Sequence, residues 1–316
     1  MVSHLLVGKE KSVFAMRRAM AWGLVWTLAV LPGTCGNPHP VATPSTGASE
    51  GTTRVACTAG STGACRIKLL VFSKTGAFRH ASIPDAIAAI RILALNQHVA
   101  VDFTEDAAAF TDANLSQYAA VVFLLTTGEV LNADQQAAFE RYIHHGGGYA
   151  GVHSASDTEY DWPWYGQLVG AYFDRVHGHS QVVQATVHVT DRTHPSTVML
   201  PALWVRTDEW YNFASNPRDH VHVLMTVDEQ TYRGGVMGDD HPIAWYHEYD
   251  GGRAWYTAMG HTSESYREPL FLAHLWGGIL YAAGANAPVS RPLLRLRFVF
   301  CCSMVSRWGI DCFWQH

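Results

Sequence analysis

Residues 146–164 read GGGYAGVHSASDTEYDWPW. Three glycines lead into the apolar run GYAGV (148–152), which stops at His153; Asp157, Glu159 and Asp161 follow among Tyr160, Trp162 and Trp164. A short, uninterrupted apolar run is the pattern of a strand buried on both faces, as in a parallel sheet. In such sheets ligands bind in the crevice beyond the carboxyl ends of the strands. The histidine therefore stands where a site is expected, and the acids and rings behind it lie on the loop that leaves that edge.

The same pattern recurs on either side. RIKLLVF (66–72), HVAVDF (98–103) and AAVVFLL (119–125) read as further strands. Between them Ser82 is placed to cap a helix with Ile83, Ile87, Ile90 and Ala94 on one side. Asn132 and Gln135 stand in capping-box spacing before a helix that buries Phe139, Tyr142 and Ile143 and ends on glycine. This alternation predicts an α/β fold built on a doubly wound, mostly parallel sheet. The second half adds strands at 180–189, 220–227, 242–249 and 253–261, with a hairpin at Asp250-Gly251-Gly252 and a closing helix over 267–284.

Of 316 residues, 48% are hydrophobic and 16% charged, enough to build a substantial core and too apolar for global disorder. The formal charge of −5, with no basic stripe, argues against a nucleic-acid partner. Residues 1–35 read as an export signal: Lys9, Lys11, Arg17 and Arg18 precede the apolar run 19–31, which is shorter than the ~20 residues of a bilayer span. The protein is thus expected to be secreted or periplasmic. LPGTC, ending at Cys35, is an imperfect lipoprotein cleavage site, and a lipid anchor there would be the one link to a membrane. Residues 36–65, rich in Pro, Gly, Ser and Thr, form a linker. The working domain spans 66–285, and 286–316 reads as an appendage with no clean helical or strand period.

Histidine is abundant, at 18 copies. His153 and His261 end apolar runs, and His261 is followed by Glu264, so each is a candidate general base or metal ligand. Asp208 and Glu209 follow a strand and could supply a ligand or an acid. His80, after Arg79, occupies the first loop at the sheet edge. A divalent metal is the cofactor that His80, His153 and His261 would take, although no HExxH or nucleotide-binding element specifies one. His177-Gly178-His179 could be a metal pair, but a structural role is the plainer reading. Rings stack on apolar sugar faces while carboxylates accept hydroxyl hydrogen bonds. Asp157, Glu159, Tyr160, Asp161, Trp162, Trp210 and Tyr211 are therefore candidate contacts to a small carbohydrate, together with Arg79, His80, Asp240 and His241.

FSKTGAFRH, GGGYAGVHSASDTEYDWPWYGQLVGAYF, TDEWYNF, MGDDHPIAW and MGHTSESY, in this order, resemble the trehalose-utilisation (ThuA-like) family. The resemblance covers nearly all of residues 66–285. It implies a flavodoxin-like fold similar to class I glutamine amidotransferases and a carbohydrate-linked role, often involving keto-sugars. Amidotransferases carry Gly-x-Cys-x-Gly at the turn after a strand; this chain has Gly151-Val152-His153-Ser154-Ala155 and no cysteine anywhere in residues 66–300. Thiol-based glutamine hydrolysis is excluded. The expectation is a hydrolase or lyase that cleaves or isomerises glycosides or keto-glycosides at a histidine-centred, metal-assisted site, the alternative being a non-catalytic carbohydrate-binding domain.

Overall fold

The uninterrupted apolar runs become β1 (Lys68–Phe72), β3 (Ala120–Leu124) and β4 (Gly148–Val152), with β2 (Ala100–Thr104) between the first two in sequence. They belong to residues 67–285, which a computed structural model of the chain describes. The expected export signal with Cys35, the linker and the appendage lie outside the described residues. Every residue of β3 and β4 is buried, as expected for strands covered on both faces. The coverage comes from α1 (Ile83–Asn96), α2 (Asp112–Leu115), α3 (Ala133–His144), α4 (Pro163–Val169) and α5 (Pro269–Ala282). Helices α1 and α5 touch each other, while α3 meets α4 through Phe139 against Trp164. A Cβ on Gly148 would collide with the Ala282 carbonyl, so glycine there lets α5 press its backbone onto β4. Among the described residues no helix is long and apolar enough to cross a membrane.

The later strands are β5 (Val183–Val189), β6 (Leu203–Asp208), β7 (His222–Val227), β8 (Pro242–Tyr249) and β9 (Gly252–Thr257). All nine form one sheet in the order β2-β1-β3-β4-β9-β8-β7-β5-β6. The first five are parallel and the rest join antiparallel. The order 2-1-3-4 followed by one more parallel strand is flavodoxin-like. Asp250 and Gly251, with φ of 47° and 85°, make the expected two-residue turn between β8 and β9.

Local signals held unevenly. Asn132 and Gln135 form the expected reciprocal capping box of α3. Ser82 precedes α1 without capping it by its side chain. Its hydroxyl instead donates to the carbonyl of His261 at 2.7 Å, tying the first sheet-edge loop to the last.

Candidate active site

Three loops at the carboxyl edge of the parallel strands bring histidines together: His80 after β1, His153 after β4 and His261 after β9. Their ring centroids form a near-equilateral triangle of 4.9, 5.0 and 5.2 Å, with interplanar angles of 83°, 83° and 78°. Glu209, one residue past edge strand β6, completes the group. One ligand atom from each of His80, His153, Glu209 and His261 lies within 4.8 Å of all the others. Three strands separate β6 from β9 in the sheet order, yet Glu209 at the end of β6 reaches the histidines that follow β1, β4 and β9.

His153 is fully buried and has a φ of 51°, a left-handed backbone that costs a non-glycine residue about 1–3 kcal/mol. Its surroundings hold it there. The Tyr256 hydroxyl donates to its carbonyl at 2.7 Å, and its Nδ1 lies 2.6 Å from the Ala258 carbonyl. A carbonyl only accepts, so Nδ1 carries a proton, and Nε2 is the atom turned toward the cluster. That Nε2 is 3.2 Å from His261 Nδ1 and 3.4 Å from Glu209 Oε2. His261 Nδ1 is in turn 3.0 Å from the same Oε2.

The other oxygen, Glu209 Oε1, is 3.0 Å from Nδ1 of His179, whose side chain is 41% exposed. The same Nδ1 is 2.7 Å from the Ser180 carbonyl. Both neighbours accept, so His179 also carries its proton on Nδ1 and leaves Nε2 basic. Burial disfavours ionisation of Glu209, yet hydrogen bonds from His153, His179 and His261 outweigh it and hold the carboxyl well below the usual range. Burial, reinforced by the charges of His153 and His261, pushes His80 down to about 2, so its imidazole stays neutral and able to ligate.

Of the residues expected from sequence, His80, His153, Glu209 and His261 converge and Asp208 does not enter the cluster. Its carboxylate accepts from the backbone N–H groups of Glu209, Gly260 and His261 and pairs with buried Arg206 at 3.1 Å. Glu264 is exposed, and the carboxylate beside His261 is Glu209. Glu159 is buried and accepts from the N–H groups of Val130 and Leu131 and from Gln136, which makes it a loop anchor. Asp157 accepts from the Tyr160 hydroxyl, Asp161 is exposed, and Trp162 donates its indole N–H to Glu140. Trp210 is buried with its N–H on the Val183 carbonyl, and the Tyr211 ring lies 4.3 Å from that of His153. Arg79 pairs with Glu105, Asp240 with Arg218, and His241 bridges Glu229 and the Tyr211 carbonyl. His179 does not stand out in the sequence because HGH names two histidines that part company: His177 turns to Asp174 at 2.5 Å.

Residues 68–282 match the family model ThuA, described as trehalose utilisation. The chain belongs to this family. No curated protein matches it significantly. Two solved ThuA-like structures are similar in fold. One, from Bacteroides uniformis, is 23% identical with a TM-score of 0.60 and covers 76% of this chain and 100% of its own. The other, from Parabacteroides merdae, is 19% identical with a TM-score of 0.56 and covers 69% and 90%. Membership of the ThuA family makes this a carbohydrate-utilisation-related protein with the amidotransferase-like architecture.

Proposed function

We propose that this ThuA-family protein is an exported enzyme that cleaves or isomerises keto-glycosides at the His80–His153–Glu209–His261 cluster with the aid of a divalent cation. The observation that carries this reading is the triangle of three imidazoles around one buried carboxylate, with Nε2 of His153 turned inward. Three imidazoles and a carboxylate are a donor set suited to zinc or another first-row divalent ion. Around a tetrahedral ion, ligands ~2.1 Å from the centre stand about 3.4 Å apart. The separations in the cluster, all within 4.8 Å, would therefore close by up to about 1.4 Å when an ion binds. A cation bound there supplies a Lewis acid for a sugar oxygen.

The protein's own groups then divide the work. His80, His153, His261 and Glu209 would hold the ion, while Glu209 Oε1 orients His179. Nε2 of His179 takes the proton beside the keto-sugar carbonyl. The C–H electron pair forms the new double bond, the bond to the glycosidic oxygen one carbon further on breaks, and the departing alcohol recovers a proton. Oriented by a carboxylate, a histidine base of this kind contributes about 10²–10⁴-fold.

The test is turnover of disaccharides and their 3-keto derivatives by the purified protein, with zinc or manganese added and then chelated. Chelation, His153→Ala and His261→Ala should each abolish product. His179→Ala should keep cation binding and lose turnover. Sugar binding with no product from any substrate would instead favour a non-catalytic binding domain.

A further inference from the structure

The rings expected to face a sugar have their own faces covered. Tyr160 lies between Tyr172, stacked at 4.9 Å, and the guanidinium of Arg175, at 4.8 Å. Trp162 stacks on Trp164 and Tyr165, and Trp210 is fully buried. Tyr211 is pressed between His153 and Phe173, each centroid 4.3 Å away. Among the described residues Phe78 is the one Phe, Tyr or Trp that is exposed, at 63%.

Phe78 stands beside the chemistry. Its ring meets His80 edge-on at 4.9 Å, and His80 is itself a corner of the histidine triangle. The loop carrying it is held by hydrogen bonds on both sides of the residue. Gly76 N–H donates to the Thr127 carbonyl, Ala77 N–H donates to the Thr127 hydroxyl, and that hydroxyl donates to the Phe78 carbonyl at 2.7 Å. Arg79 adds a two-pronged pair with Glu105. A fixed backbone presenting an open ring next to the donor cluster is a platform whose ordering needs no ligand.

We infer that Phe78 is the stacking platform of this site, receiving the apolar face of the pyranose ring whose oxygens reach the cluster. This rests on the proposed carbohydrate chemistry and adds a residue that fixes how the sugar lies. Stacking on an aromatic face is non-directional about the ring normal, so Phe78 selects for a flat, C–H-lined sugar face while the polar groups set orientation.

The experiment is isothermal titration of the full chain with trehalose and 3-keto-trehalose, beside a zinc titration and gel filtration of each variant. Phe78→Ala should weaken the sugar roughly tenfold and leave zinc affinity within about twofold, and Phe78→Trp should restore sugar binding. Wild-type sugar affinity in Phe78→Ala overturns the platform while leaving the proposed function standing. Loss of a dimer in Phe78→Ala with unchanged sugar affinity shows the ring to be an interface between copies and also overturns it. No sugar binding by the wild type removes both readings together.

Discussion

The carboxylate of Asp208 accepts a hydrogen bond from the backbone N–H of His261 at 3.0 Å, although β6 and β9 are separated by three strands. The same carboxylate accepts from Gly260 and from Glu209. One buried acid thus sets the spacing between two members of the cluster, the histidine past β9 and the glutamate past β6.

Removing Asp208 should therefore act on stability and on the site together. In Asp208→Ala, Arg206, buried with its side chain 2% exposed, loses a partner, and three N–H groups lose their acceptor. Breaking a buried pair from one side costs about 3–5 kcal/mol. Arg206 retains Glu268 at 3.2 Å, which places the expected loss near the lower figure. Urea unfolding measures it, and a loss under ~1 kcal/mol would contradict the clamp.

The cation should be visible thermodynamically without turnover. Zinc at a hundred times its Kd stabilises the native state by about 2.7 kcal/mol, which for a domain of this size raises Tm by roughly 5–10 °C. Glu209→Gln keeps the side chain's shape and removes its charge, and should weaken zinc more than about tenfold. An unchanged melting curve in the presence of zinc would speak against the donor set.

Acid should loosen the fold in a defined window. Burial holds His194 down to about 4 and His274 down to about 3, against an ordinary value of 6.5. Below pH 6.5 the unfolded chain takes up protons that the native state refuses, so stability is intact above that pH and falls as the pH drops toward 4. At pH 5 each buried histidine accounts for a loss on the order of 1–2 kcal/mol. Thermal melts at pH 7 and pH 5 test this, and His274→Gln should flatten the dependence.

Helix α5 should tolerate no added methyl where it crosses β9. A Cβ on Gly278 would collide with the Trp255 indole, which is fully buried and has nowhere to retreat. Gly278→Ala should cost at least 1–3 kcal/mol, the range for overpacking, despite alanine's better helix propensity. A stability gain on denaturant unfolding would show that the contact relaxes freely.

The parallel half of the sheet was legible because β1, β3 and β4 are buried on both faces and leave unbroken apolar runs. Edge strand β6 was harder to read, since it is inside-out: Arg206 and Asp208 face inward while Leu203 and Val205 face solvent. Helices α2 and α4, of four and seven residues, are too short to show a period. In the site, the strand-end histidines could be found because the fold class says where strand ends lead. The acids of 157–161 could not be sorted by sequence. Whether Glu159 faces a ligand or the N–H groups of Val130 and Leu131 depends on a φ of 57° at that residue, which no periodicity encodes.

Glu209 hangs from the outermost strand, which is paired on one side only, whereas His153 grows from a strand flanked by two parallel neighbours. Edge strands open at lower free energy than central ones. The cluster is therefore as durable as its weakest hinge, and mild denaturant would peel Glu209 away while the flavodoxin-like half stayed folded. A molecule in that state would keep its helical circular dichroism and its protected central amides, yet carry three histidines with no carboxylate to answer them.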